Sequence, residues 1–352
     1  MANTAVLIVA LGILLYLGKS VLLPILAAVI VVYVLVNTSA ALGRVPVIGR
    51  LPESLRRLAV LLIFIAALVV IVGVVVSTIS QILSQAPTYQ ANIEKLVAQG
   101  ADLVGIDERP DWQTIRAATF GRFSIQSVIN TAFLNVTGIA GPIFLVIVYS
   151  AFLLAERAGF SRKLALVMPD PEDAARTATI IRDINDRIGA YLAIKTLVNV
   201  ILAVISYAIL WGFGIDFPLF WALAIGLLNY IPYFGSLLAV LFPVALSVVQ
   251  FGDLAWTLLL GALLTIAQMI VGSFVEPRLI GRRVNLSPFI VLVSLAVWTA
   301  LWGLPGALLA VPLTSMMTIV LSAFAPTRPI ALMMADRVLD DAPRGPLISP
   351  AP

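Results

Sequence analysis

The sequence predicts an all-α integral membrane protein with about six transmembrane helices and two re-entrant helical hairpins that form an inverted repeat. Three observations carry that prediction. Of the 352 residues, 61% are hydrophobic and only 11% charged, about half the charge density of a soluble domain, and mean hydropathy is +1.08. Charge-free runs long enough to cross a bilayer recur along the chain. Two more such runs are interrupted in the middle by Pro and Gly. The chain has no His and no Cys. That excludes disulfides, thiolate or imidazole metal sites, and Ser-His or Cys-His nucleophiles. No enzymatic activity, metal or cofactor is expected. The net charge of +4 comes from basic residues beside apolar runs, so the expected partner is a lipid bilayer and not nucleic acid.

Residues 1–80 read as the N-terminal transmembrane helices. Lys19 and Pro24 separate two short apolar pieces, 4–17 and 20–37, with a tight turn at Gly18-Lys19-Ser20, and a longer span follows at 58–80. Arg44, Arg50, Arg56 and Arg57 crowd the loop before that span, which marks it as cytoplasmic. Segment 81–127 has mixed charge (Glu94, Lys95, Asp102, Asp107, Glu108, Arg109, Asp111) and is expected to be an external helical subdomain. Residues 128–155 make the next span. Residues 156–189, with Arg157, Arg162, Lys163, Arg176, Arg182 and Arg187, read as cytoplasmic amphipathic helices, one of them opened by Asp170 as N-cap and Pro171 in the first turn.

Residues 190–325 hold spans 190–212 and 254–275 and the two interrupted runs, 217–250 and 288–324. The first is broken by Asn229-Tyr-Ile-Pro-Tyr-Phe-Gly235, the second by Trp302-Gly-Leu-Pro-Gly306. Pro lacks an amide donor and Gly loosens the backbone, so helices should stop at both places. Within lipid such breaks are tolerated only where they line a cavity. A helix over 217–228 would be about 18 Å long, too short to span. The break at 229–235 also carries no positive charge, unlike the cytoplasmic loops, so both runs are expected to be re-entrant hairpins. Residues 326–352, rich in Pro, are expected to be a disordered cytoplasmic tail, with the amino terminus on the same side.

The hairpins look related. Gly235-Ser-Leu-Leu-Ala-Val240 matches Gly306-Ala-Leu-Leu-Ala-Val311; each follows a Pro (Pro232, Pro305), and each hairpin opens on one (Pro218, Pro288). One span precedes each hairpin, so the second unit would enter the membrane inverted. Interrupted segments at corresponding positions of two halves point to a transporter's binding site.

Asn229 and Tyr230 at the first break offer donors and acceptors to a small, neutral, hydroxyl-rich solute, with freed carbonyls beside Pro232 and Gly235; the alternative is that Asn229 caps a half-helix and Tyr230 packs. Tyr191, Lys195 and Asn199 share one helix face. For Lys195 snorkelling to the headgroups is the plainer expectation, for Asn199 a place in the site. Glu276 could pair with Arg278, Arg282 or Lys195, as a gate or as a structural pair at a helix terminus. Gln268, with Asn130 and Asn135, lines the path or bridges helices. Pro305 and Gly306 are the second hairpin's counterparts to Pro232 and Gly235. Gly212, Gly214, Gly252 and Gly281 are hinge candidates.

Tyr191-Leu-Ala-Ile-Lys-Thr196, Asn229-Tyr-Ile-Pro-Tyr-Phe-Gly235, Glu276-Pro-Arg-Leu-Ile-Gly281 and Gly303-Leu-Pro-Gly-Ala-Leu-Leu-Ala-Val-Pro312 together resemble, in order and spacing, the autoinducer-2 exporter family of bacterial permeases, with the general layout agreeing from about residue 4 to 325. The resemblance implies a multi-pass permease of the bacterial inner membrane and makes residues 190–325 a transport core. It implies a homo-oligomer, with a pentamer the expected size, and a small-molecule solute, autoinducer-2 being the best known. The alternative is a sodium(potassium)/proton antiporter, as some relatives resemble. Against it, Asp216, Asp253 and Glu276 all fall at span ends, where such a mechanism wants a carboxylate deep in the membrane.

Overall fold

The computed structural model describes residues 2–46, 48–104, 138, 141–156, 167, 170–280 and 285–336. All elements among them are helical. In chain order they are α1 (Ala2–Leu17), α2 (Lys19–Leu42), a 3-10 turn (Ile48–Arg50), α3 (Glu53–Val104), α4 (Gly141–Glu156), α5 (Pro171–Gly212), α6 (Pro218–Leu228), α7 (Phe234–Phe251), α8 (Leu254–Ile270), a π-turn (Val271–Val275), α9 (Glu276–Ile280), α10 (Pro288–Ala323) and α11 (Arg328–Met334). Six helical stretches are long and apolar enough to cross a membrane: 19–42, 53–82, 177–212, 234–251, 254–279 and 288–323. The number agrees with the expectation, but two of the six, 234–251 and 288–323, belong to the interrupted runs.

Several boundaries differ from those expected. The tight turn at Gly18 is a kink: Gly18 N–H reaches the Leu14 carbonyl at 2.8 Å and Leu22 N–H reaches the Gly18 carbonyl at 2.9 Å, so helical bonding carries through from α1 to α2. Helix α3 does not stop at residue 80. It runs 52 residues across Pro87, about 78 Å, so residues 81–104 are an arm continuous with the span. The rest of 81–127, the start of 128–155, Asn130, Asn135, Gly281, Arg282 and residues 337–352 lie outside the described residues. Helix α5 begins at Pro171 as its capping signal predicts, but it joins the amphipathic segment and span 190–212 into one rod of 42 residues. The tail is not disordered over 328–334. Pro329 sits in the first turn of α11, where no donor is needed, and Ala331 and Met334 are buried, 4% and 8% exposed.

Both interrupted runs turn back on themselves. Leu228 and Phe234 are separated by a five-residue break in which Tyr233 adopts φ 63°. Helix α10 is broken at Gly303, whose φ 66°, ψ −145° belongs to a region open essentially only to Gly. Beyond that break the chain returns so closely that Trp298 Nε1 donates to Thr314 Oγ1 at 3.0 Å; sixteen residues of unbroken helix would hold them about 24 Å apart. Gly235 and Gly306, aligned in the sequence repeat, do the same job. A Cβ on Gly235 would overlap the Leu228 carbonyl, and one on Gly306 the Trp298 carbonyl.

The mouths of the hairpins lie far apart along α5, one beside its carboxyl end and the other beside Arg187. At the first, Gln250 Oε1 accepts from the Asp216 amide (2.9 Å) and Gln250 Nε2 donates to the Gly214 carbonyl (2.8 Å), tying both hairpin ends beside the carboxyl end of α5. The α3 arm clasps the same place: Tyr89 OH donates to Asp216 Oδ2 at 2.8 Å, and Asn92 Nδ2 to the Gln250 carbonyl at 2.6 Å. Partial burial, with the Asp216 carboxylate, pushes the Tyr89 hydroxyl far up, so it keeps its proton for that bond. The mouth of the second hairpin, with Asn285, Leu286 and Ser322, lies around Arg187, and Ser287 N–H bonds the Met334 carbonyl at 3.0 Å. Arg187 and Gly212 are 25 residues apart on α5, about 38 Å. Between the mouths the tips meet, Ile231 of the first packing with Leu295, Ala307 and Ala310 of the second. A larger core of Val198, Leu202, Ala222, Ile225, Ala239, Leu260 and Leu264 joins α5 to α8. Outward faces stay apolar, with Trp211, Val69 and Leu258 exposed.

Candidate functional site

A cavity of about 1130 Å³ opens between the first break with α7, the face of α8 and the π-turn from Thr257 to Ser273, and Glu276, with Tyr191 and Lys195 of α5 at its back. It exceeds the span of ordinary small-ligand pockets, roughly 300–1,000 Å³. Tyr191, Lys195 and Asn199 recur at one-turn spacing, so the same face of α5 presents all three, and each is buried.

Lys195 does not snorkel. It is 7% exposed, and its Nζ lies 2.6 Å from Glu276 Oε1. Of the three pairings open to Glu276, this one forms. Just before Glu276 the helix widens into the π-turn Val271–Val275. The extra residue turns everything after it by about 100°, and Glu276 is the first side chain to benefit. The pair cancels both charges. Glu276 is the only carboxylate among the described residues lining the cavity.

The break itself is bound to α5. Asn229 Nδ2 donates to Asn199 Oδ1 at 2.8 Å. Thr196 Oγ1 donates to the Leu192 carbonyl (2.7 Å) and meets Tyr230 OH at 2.7 Å; since the threonine proton is already committed, the tyrosine is the donor. So Asn229 does not cap through its side chain and Tyr230 does more than pack, while both still line the cavity, as do Pro232 and Gln268. Among the described residues, Gln268 Nε2 in the wall is a buried amide donor without a hydrogen-bond partner, and Asn199 Nδ2, behind Asn229 and outside the lining, has only Tyr230 near it. A buried donor left unpaired costs about 1–3 kcal/mol, which an oxygen-rich solute can recover.

Other expected residues fall elsewhere. Gly235 is buried behind the wall under the Leu228 carbonyl. Pro305 and Gly306 belong to the second hairpin and do not line this cavity, and Arg278 is exposed beyond its end. Thr196, Ser236, Thr265 and Ser273 were not singled out from the sequence, nor was strained Tyr233. Thr196 was legible three residues before Asn199 on one face. The π-turn left only Gly272-Ser273 as a trace, small residues of the kind found at helix irregularities.

The profile of the AI-2E family transporter matches residues 5–325. A Haemophilus influenzae protein, provisionally named a transport protein, is 30% identical over 88% of this chain and 91% of its own. A Borreliella burgdorferi protein of the same provisional name is 31% identical over 69% of this chain and 66% of its own. The AI-2 transport protein TqsA of Escherichia coli K12 is 28% identical over 82% of each chain.

Proposed function

Because the chain belongs to the AI-2E family of transporters, and is thereby a multi-pass inner-membrane transport protein, we propose that it exports a small, uncharged, oxygen-rich organic solute through the cavity at the first break, autoinducer-2 being the first solute to test. The observation that carries the solute class is the pairing of a charge-cancelled wall, Lys195 against Glu276, with an unsatisfied amide donor in the same wall, Gln268 Nε2. The choice of autoinducer-2 rests on the name of the Escherichia coli relative, an AI-2 transport protein.

In the proposed arrangement the hairpins re-enter from opposite faces of the membrane as an inverted repeat. Supporting this, their mouths sit about 38 Å apart along α5, more than a hydrocarbon core and close to a bilayer with its headgroups, and their tips meet between them. With Arg44, Arg50, Arg182 and Arg187 facing the cytoplasm, the second mouth is cytoplasmic, the first external, and the carboxyl terminus inside. The transport cycle alternates exposure of the cavity by movement of the hairpins, with Gly214 (φ 69°) and Gly252 (φ 63°) at the base of the first as hinges. Protomers assemble into a homo-oligomer, a pentamer on the family's pattern, through part of the exposed apolar surface. Sodium/proton exchange is the weaker reading, since the one lining carboxylate is already held by Lys195.

Proteoliposome counterflow of labelled autoinducer-2, with a pH dye recording protons as sodium is varied, tests this. Wild-type protein is expected to show counterflow indifferent to sodium, lowered at least about tenfold by Asn229→Ala, the size of one lost hydrogen-bonded contact, at equal protein level. Sodium-dependent proton flux without counterflow transfers the assignment to the antiporter.

A further inference from the structure

A second, smaller cavity of about 160 Å³ lies at the mouth of the second hairpin. It is built by four separate pieces of chain. Arg187 comes from α5, Asn285 from the stretch that enters the hairpin, Ser315, Thr318 and Ser322 from the returning leg of α10, and Arg328 from α11. Its chemistry is the opposite of the large cavity's. The lining holds two arginines and no carboxylate, and neither arginine has an ion-pair partner among the described residues. Thr318 and Ser322 commit their hydroxyl protons to the Thr314 and Ile319 carbonyls. Ser315 does not: it is 5% exposed, and its Oγ has no partner among the described residues. A small, half-open recess lined by two arginines that are themselves exposed, with a buried hydroxyl beside them, suits a tetrahedral oxyanion, because arginine's donor fork matches phosphate oxygens. The volume is below the range for drug-sized ligands and takes one phosphate group.

We infer that this cavity is a binding site for a phosphate group, held by Arg187, Arg328 and Ser315, from a lipid headgroup or from free phosphate. The occupant joins α5, the stretch that enters the second hairpin, its returning leg and α11 at the hairpin's mouth, so it fixes the base of that hairpin. The inference is independent of which solute the large cavity takes.

The test uses full-length protein in detergent, with thermal unfolding followed against inorganic phosphate, phosphatidylglycerol and zwitterionic phosphatidylcholine. Saturable stabilisation by phosphatidylglycerol alone identifies a lipid headgroup, and stabilisation by phosphate as well identifies a site open to the free anion; both support the proposal. Arg187→Gln and Arg328→Gln are each expected to weaken the apparent affinity roughly fivefold, as one basic side chain lost near an anionic headgroup should, and Ser315→Ala to weaken it further. Arg182→Gln, an exposed arginine outside the lining, leaves affinity unchanged. Should Arg328→Gln loosen α11 itself, Arg187→Gln on the α5 rod still reads the site. The proposal is overturned if neither phosphate nor phosphatidylglycerol stabilises, if phosphatidylcholine matches phosphatidylglycerol, or if Arg182→Gln and Arg187→Gln behave alike.

Discussion

Lys195 and Glu276 are 81 positions apart in sequence and are useful only together. Taking one charge out of a buried pair strands the other, at a cost of roughly 3–5 kcal/mol. Glu276 keeps some exposure, 24% of its side chain, so the lower end applies. Lys195→Met or Glu276→Gln alone is expected to lower the melting temperature by about 6 °C, taking about 3 kcal/mol at roughly 2 °C per kcal/mol for a chain of this size. The double variant Lys195→Met/Glu276→Gln is expected to recover most of that loss. A double variant no more stable than the worse single one argues that the pair is incidental. Sequence alone marked both residues but could not choose Glu276's partner from three cations, because the choice rests on a π-turn that rotates one side chain, and Gly272-Ser273 is a faint signal for it. The polar contacts of Asn229 and Tyr230 were hidden for a similar reason: a hydrogen bond between elements depends on where two helices cross, which residue type does not report.

Among the elements, the interrupted runs were legible because Pro and Gly have few roles inside apolar helices. Lengths were less so. Helix α3 passes Pro87 and α5 joins an amphipathic half to an apolar half, since a change of polarity along a helix alters its solvent without ending its hydrogen bonding. Helix α11 was read as tail because Pro density suggested disorder, whereas Pro329 stands where a helix accepts it. The two hairpins share a closing device that the aligned glycines provide, and a side chain there has nowhere to go. Gly235→Ala and Gly306→Ala are each expected to destabilise by about 1–3 kcal/mol, the range for overpacking. Gly73→Ala, in α3 with nothing within 4 Å of the added carbon, should be neutral or stabilising by up to about 1 kcal/mol. Unfolding of the three in one detergent decides it, and equal behaviour would remove the glycines from the account of the fold.

For the molecule as a whole, the absence of native cysteine makes sidedness directly measurable. Single cysteines at Gln250, in the first mouth, and at Ser322, in the second, are expected to react with an impermeant maleimide from opposite faces of sealed vesicles, Gln250→Cys from outside the cell and Ser322→Cys from the cytoplasm. Labelling of both from one face would dismantle the inverted arrangement. Where the tips meet, Ile231 is enclosed by Leu295, Ala307 and Ala310, with no polar side chain in that cluster. An apolar junction of this kind sheds water without any charge to close it. In the proposed export cycle, it keeps water, and the small ions that travel with water, from following the solute.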